Sequence, residues 1–223
     1  MTRIERLPTI IEFGLLPDNE VRRRAVDGTE IGYRHIKDRR AQRVVGCGAG
    51  GTLADYVPFY FAPRSPMLYA ITRGQVGAEA ARTSEIVYLA TTTQALRAAG
   101  LSVVVSNRHA ELAYAELSDA DAVLDGDDFV DWPLMREQYW TDTADYPDKK
   151  ERRQAECLAH PVVGWPLIRG ASPRRKMQHC ESGTGSLARG WVLPLVSDPT
   201  GTSEVWQSRM DTGTSSPRLS LPW

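Results

Sequence analysis

The fifteen residues from Asp55 to Tyr69, DYVPFYFAPRSPMLY, hold five aromatic rings, three prolines and a single arginine. Tyr56, Phe59, Tyr60, Phe61 and Tyr69 offer flat faces on which a nucleobase or a nicotinamide ring can stack, and the planar fork of Arg64 suits a phosphate. Such a wall serves nucleotide or single-stranded nucleic-acid chemistry. Composition alone equally describes an aromatic core strand with one surface arginine, because buried aromatics usually just pack. The prolines rule out a long helix and favour short extended pieces joined by a fixed turn. Basic clusters at Arg22-Arg23-Arg24, at Lys37-Asp38-Arg39-Arg40 with Arg43, and from Lys149 to Arg153 are further phosphate-binding candidates, and each also reads as a solvated face. Glu156, close behind Arg152 and Arg153, reads by spacing as a helix-surface glutamate.

The elements that must position these residues belong to a chain of 223 residues, long enough to bury a core as one domain. Its 27 Lys and Arg balance 28 Asp and Glu, so no global basic field attracts nucleic acid and any such role rests on local arginines. Cys47, Cys157 and Cys180 are odd in number and too widely spaced for a zinc site, which points to a reduced compartment and no metal. No apolar stretch approaches the ~20 residues that span a bilayer, and the start lacks the apolar segment of a secretory signal. The expectation is a soluble cytoplasmic protein. The glycines from Gly46 to Gly51 lack the following Gly-Lys-Ser/Thr of a phosphate loop.

Apolar residues at Ile4, Leu7, Ile10, Ile11 and Leu15 predict a short amphipathic helix over 4–16 that ends near Gly14. Residues 18–50 read as a long connection with one helical turn around His35 to Arg40. Strands are predicted at 57–61, 67–72 and 86–90, then a helix at 92–99 stopped by Gly100 and a buried strand at 101–105. A helix near 110–117, an acidic stretch at 119–128, helical or partly helical segments at 133–140 and 147–160, and a strand from Val162 to Ile168 follow. Strands and helices do not alternate regularly, which favours an α+β fold over a doubly wound sheet. Residues 1–170 form the predicted domain. From 171 to 223 nearly half the residues are Ser, Thr, Gly or Pro and no period persists, so this tail is predicted to be unstructured.

The Asp55–Tyr69 string and the triplet Gln154-Ala155-Glu156 together resemble the DarT family, toxins that transfer ADP-ribose from NAD to single-stranded DNA, over roughly residues 1–170. The resemblance implies an ADP-ribosyltransferase-like split β-sheet core with NAD in its cleft and no metal. It implies that Glu156 is the catalytic carboxylate, binding the nicotinamide-ribose hydroxyls and stabilising the positive charge that grows as the glycosidic bond breaks. Arg40, in His35-Ile36-Lys37-Asp38-Arg39-Arg40, matches the family's NAD-contacting stretch, where a guanidinium clamps the pyrophosphate and helps a base lose its proton. Arg39 fits the same register within one residue. Thr2 and Tyr60 complete the implied NAD contacts. For DNA, the resemblance implies Tyr56 and Arg64, the polar segment Asn107, Arg108 and His109, and, before Glu156, Tyr139, Trp140, Lys149, Lys150, Arg152 and Arg153. Tyr-Val-Pro-Phe-Tyr and Pro-Arg-Ser-Pro-Met-Leu-Tyr are similar to the branch that modifies thymidine. The implied partner is a macrodomain antitoxin of the DarG type that removes the modification.

Family members open with His-x-Thr-x-x-x-Asn-Leu, against Met1-Thr2-Arg3-Ile4-Glu5-Arg6-Leu7 here. Thr2 and Leu7 fit, Arg6 takes the asparagine position, and the histidine falls one residue before Met1, so the first strand is expected to be missing or cut. The alternatives are an active transferase and a truncated, catalytically silent remnant that at most binds single-stranded nucleic acid. A third reading, an NAD hydrolase, shares Glu156.

Overall fold

Val57 and Phe59, Cys157 and Ala159, and Val103 and Val105 stand opposite one another on three neighbouring strands and share one buried face. This period of two builds the centre of the sheet. The computed structural model describes residues 1–26, 34–72, 86–173 and 191–194. Among them the strands are β1 (Thr2–Arg3), β2 (Val57–Tyr60), β3 (Ile86–Thr92), β4 (Ser102–Ser106), β5 (Leu117–Ser118), β6 (Glu156–His160), β7 (Gly170–Pro173) and β8 (Trp191–Pro194). Their order is β1-β3-β8-β2-β6-β4-β5, with β7 also paired to β3, and the pairings are antiparallel. The helices are α1 (Leu7–Phe13), α2 (Asp18–Arg23), α3 (Arg34–Gln42), α4 (Pro66–Thr72), α5 (Thr93–Ala98), α6 (Trp132–Arg136) and α7 (Lys149–Arg152). The fold is α+β, as expected.

The sheet is split between β1-β3-β7 and β2-β6-β4-β5, and β8 bridges the halves by pairing Tyr60 with Leu193 and Thr91 with Val192. Beyond the face just named lies a second cluster of Val45, Leu53, Tyr56, Val104, Ala110 and Leu158. Tyr60 and Glu156 are register partners on that same second face, next to the pair Pro58 and Leu158. The polar end of an otherwise apolar face is thereby aimed at the helices α2 to α4.

Several elements differ from the sequence reading. The first strand is present in part, because Thr2 and Arg3 pair with Val87 and Ile86. The connection after residue 18 carries the helices α2 and α3 instead of one turn. Residues 67–72 are helical, not extended: Ser65 Oγ accepts the Leu68 N–H at 3.2 Å and Pro66 fills the first helical position, a start signal that outweighs the aromatic composition. No helix forms at 110–117, where turns lead into the two-residue β5. The segment 147–160 is helical only to Arg152 and is β6 from Glu156 onward. Val162 to Ile168 holds a single bridge from Val163 to Leu15 and a 3-10 turn, and the strand comes later as β7. In the tail, Ala171–Pro173 and Trp191–Pro194 lie in the sheet; the remaining tail residues, Cys180 among them, lie outside the described residues.

Gly48 shows how tightly the glycine-rich loop approaches the sheet. Its φ is +59°, and a Cβ there would meet Val104 Cγ2 at 2.6 Å and Ser102 Oγ at 2.8 Å. Gly48→Ala is expected to lower stability by roughly 1–3 kcal/mol in urea denaturation, from overpacking and backbone strain together.

Candidate active site

Glu156 starts β6 and is 1% exposed, which overturns its reading as a helix-surface glutamate. A buried carboxylate must be paired and hydrogen-bonded, and two groups meet this requirement with three hydrogen bonds. Arg40 Nη1 donates to Oε1 at 3.1 Å and Oε2 at 2.9 Å, and the Ala110 N–H donates to Oε1 at 3.2 Å. The backbone of Glu156 is fixed by Ser106, whose Oγ accepts its N–H at 2.9 Å and donates to the Arg108 carbonyl at 2.7 Å. Ser106 is fully buried on the adjacent strand β4, so one hydroxyl ties the glutamate to the Asn107–His109 turn. Ser106 and Ala110 had no site role in the sequence reading, since a lone serine and a backbone amide carry no distinguishing pattern.

Arg40 comes from α3 and is itself buried. Burial works against its charge, but the Glu156 carboxylate outweighs this and the guanidinium pKa is raised. Its Nη2 is buried without a hydrogen-bond partner. Arg39, one residue earlier, points elsewhere: it pairs with Glu111 and its side chain is 57% exposed, so the geometry selects Arg40 of the two. Tyr60 lies across the ladder from Glu156, its phenol pKa pushed up first by burial and then by the neighbouring carboxylate, so it stays a protonated donor.

These residues line one cleft of about 400 Å³. Arg40, Tyr60 and Glu156 share its lining with Tyr56, His109, Asp18 and Lys37, and with apolar Leu16, Ile36 and Met67. Tyr56 is also core, its hydroxyl donating to the Gly50 carbonyl at 3.0 Å and its ring tilted against His160 at 5.3 Å. Phe59 and Phe61 are core outright, Phe61 packing edge-on to Trp132 at 5.2 Å, while Tyr69 is exposed. The aromatic string is thus partly wall and partly core. Thr2, in β1, is not among the residues that line the cleft.

The expected DNA contacts divide in the same way. Asn107 closes a turn by accepting the Glu116 N–H through Oδ1 at 3.1 Å. Arg108 sits 3.5 Å from Asp148, 3.6 Å from Glu151 and over the Tyr114 ring. Lys149 pairs with Glu137 and Lys150 with Asp142, at 3.0 and 2.9 Å. Arg152 pairs with Asp131 and Asp148. His109 reaches the cleft lining and Tyr139 stands 79% exposed. Arg64 is half-buried, its carbonyl accepting Arg153 Nε at 3.2 Å. Arg153 itself is 1% exposed, donates to the Leu134 carbonyl as well and lies beneath the Trp140 ring, so it is an internal strut and not a phosphate contact. Arg153→Ala is expected to cost roughly 2–4 kcal/mol in urea denaturation, since two carbonyls lose their donor.

Cys157 is a poor nucleophile, its thiol pushed up to about 12, chiefly by burial. Among the described residues no group of three or more His, Cys, Asp or Glu is placed to hold a metal ion, and no helix is long and apolar enough to cross a membrane.

A fixed buried carboxylate beside an arginine with a spare donor, in a nucleotide-sized cleft on a split antiparallel sheet, suits an ADP-ribosyltransferase. Here positive charge would develop on a sugar held against the acid. The chain belongs to the DarT family: the family described as ssDNA thymidine ADP-ribosyltransferase, DarT, matches residues 1–176. A DNA ADP-ribosyl transferase of Thermus sp. (strain 2.9) is 37% identical over 169 residues, 75% of this chain and 76% of that one. The solved structure of Thermus sp. 2.9 DarT in complex with ADP-ribosylated ssDNA superposes with a TM-score of 0.69 at 34% identity, over 81% of this chain and 86% of that one. The same Thermus protein in complex with NAD+ gives a TM-score of 0.65 at 31% identity, over 84% and 90%.

Proposed function

We propose that this chain transfers ADP-ribose from NAD to thymidine bases of single-stranded DNA and releases nicotinamide, with Glu156 and Arg40 as the residues that carry the chemistry. The observation that carries the assignment of roles is the buried Glu156–Arg40 pair, in which Arg40 Nη2 has no partner. An orphaned buried guanidinium donor fits an anionic ligand, and a pyrophosphate is the anion that a dinucleotide brings.

The donor geometry assigns work to each oxygen of Glu156. Oε1 accepts from both Arg40 and Ala110, whereas Oε2 accepts from Arg40 alone. Oε2 therefore keeps a free lone pair for a ribose hydroxyl. Because Glu156 is held in place before the reaction, its charge stabilises the growing positive charge without reorganising. Arg40 stays charged throughout, and the Tyr60 hydroxyl supplies a further donor. On the DNA side, His109 at the cleft and the exposed Tyr139 and Lys150 support contacts to an incoming strand, with Lys149 and Arg152 available if their carboxylate pairs exchange for phosphates. The resemblance to the family further supports action in the cytoplasm as a toxin held in check by a macrodomain antitoxin.

The test is transfer of labelled ADP-ribose from NAD to single-stranded oligonucleotides with and without thymidine. Label on the thymidine-containing strand alone is expected. NAD consumption that is the same without DNA would mean a hydrolase, and no turnover would mean a silent remnant.

A further inference from the structure

Two charged side chains of the cleft have no part in the chemistry above. Asp18 opens α2 and Lys37 lies on α3; both line the cleft, and Lys37 Nζ donates to Asp18 Oδ1 at 3.0 Å. Their side chains are only 28% and 24% exposed. Lys37 precedes Arg40 by three residues, so the two cations lie on one face of α3 about 4.5 Å apart along its axis. Asp18 also acts on Arg40, raising its pKa. One line of polar groups thus runs along the cleft wall from Glu156 through Arg40 to the Lys37–Asp18 pair.

We propose that the Asp18–Lys37 pair reads the far ribose of the dinucleotide and makes the site selective for NAD over its 2′-phosphorylated form. The inference rests on the reading above, in which the nicotinamide ribose lies at Glu156 and the pyrophosphate at Arg40. The next groups outward along the dinucleotide are the hydroxyls of the adenosine ribose. A carboxylate there accepts from ribose hydroxyls and repels a phosphate dianion. Asp18 acts a second time by balancing the charge of Lys37, the cation of this stretch of the cleft wall that a 2′-phosphate would meet. Its Oδ1 accepts from that lysine.

Calorimetric titration of NAD and NADP into the full chain and into Asp18→Asn tests this, alongside KM for transfer with each. The unsubstituted chain is expected to bind NAD at least about tenfold more tightly than NADP. Asp18→Asn is expected to weaken NAD and tighten NADP, each by about fivefold, because the charged acceptor is lost while the Lys37 charge is no longer balanced by Asp18. Lys37→Ala added to Asp18→Asn is expected to remove the gain for NADP. Opposite shifts for the two ligands separate selectivity from a loosened fold, which weakens both. An unchanged ratio of the two affinities in Asp18→Asn overturns the proposal and leaves the roles of Glu156 and Arg40 intact. Failure of the unsubstituted chain to bind either dinucleotide overturns both.

Discussion

Glu156→Gln is expected to reduce kcat for transfer to thymidine-containing single-stranded DNA by at least about 10²–10³-fold, with a much smaller change in NAD affinity. The substitution is nearly isosteric. It keeps one oxygen to accept from Arg40 and Ala110, and the register of β6 with β2 and β4 does not depend on the carboxylate. What it removes is the negative charge, and that charge matters most where the reacting sugar becomes positive. An interaction stronger in the transition state than in the ground state lowers kcat, whereas one equally strong in both raises KM alone. Single-turnover rates and NAD titrations on the same protein separate the two cases, with far-UV circular dichroism to show that the fold persists. A raised KM with unchanged kcat would demote Glu156 to a binding residue.

That prediction concerns a residue whose type and position were legible in the sequence but whose setting was not. The Gln-Ala-Glu triplet pointed to Glu156, yet the helical reading of 147–160 placed it on a surface. No glycine or proline marks the change from α7 to β6, and a five-residue strand between a charged helix and His160 gives periodicity too little length to act on. The central strands were legible because Val57–Tyr60, Ile86–Thr92 and Ser102–Ser106 are rich in β-branched or aromatic residues. Helix α4 was hidden for a local reason: Ser65 and Pro66 form a cap inside a string whose rings suggested a strand. Helix α3 was read as a single turn around His35 to Arg40 because its composition, RHIKDRRAQ, has almost no apolar stripe; its inward side carries Ile36 and the stems of Lys37 and Arg40, charged residues that a periodicity search scores as solvent-facing. The same blindness explains Arg153, placed with the DNA contacts by its basic neighbours although it is buried in the structure. Sequence gives the charge of such residues; only the packing says whether the charge meets water, a carboxylate or a carbonyl.

Arg40→Met is expected to cost about 3–5 kcal/mol of stability and to abolish transfer, a larger loss than an exposed arginine would show. The guanidinium and the carboxylate are buried together, with side-chain exposures of 10% and 2%, so removing one leaves the other as an uncompensated charge in a low-dielectric cleft. Glu156→Gln has the mirror-image defect, since Arg40 then lacks its carboxylate. The double variant Arg40→Met/Glu156→Gln has no buried charge in this pair, and its loss is expected to fall short of the sum of the single losses by roughly 1–3 kcal/mol. Urea denaturation of the four proteins closes this cycle, and additive losses would mean that the pair does not interact in solution. Transfer assays on the same four proteins should show no recovery in the double variant. A double loss smaller than the sum, with no recovery of activity, is the signature of a charge pair kept for chemistry, because the fold tolerates a neutral pair better than an unpaired charge and the reaction tolerates neither.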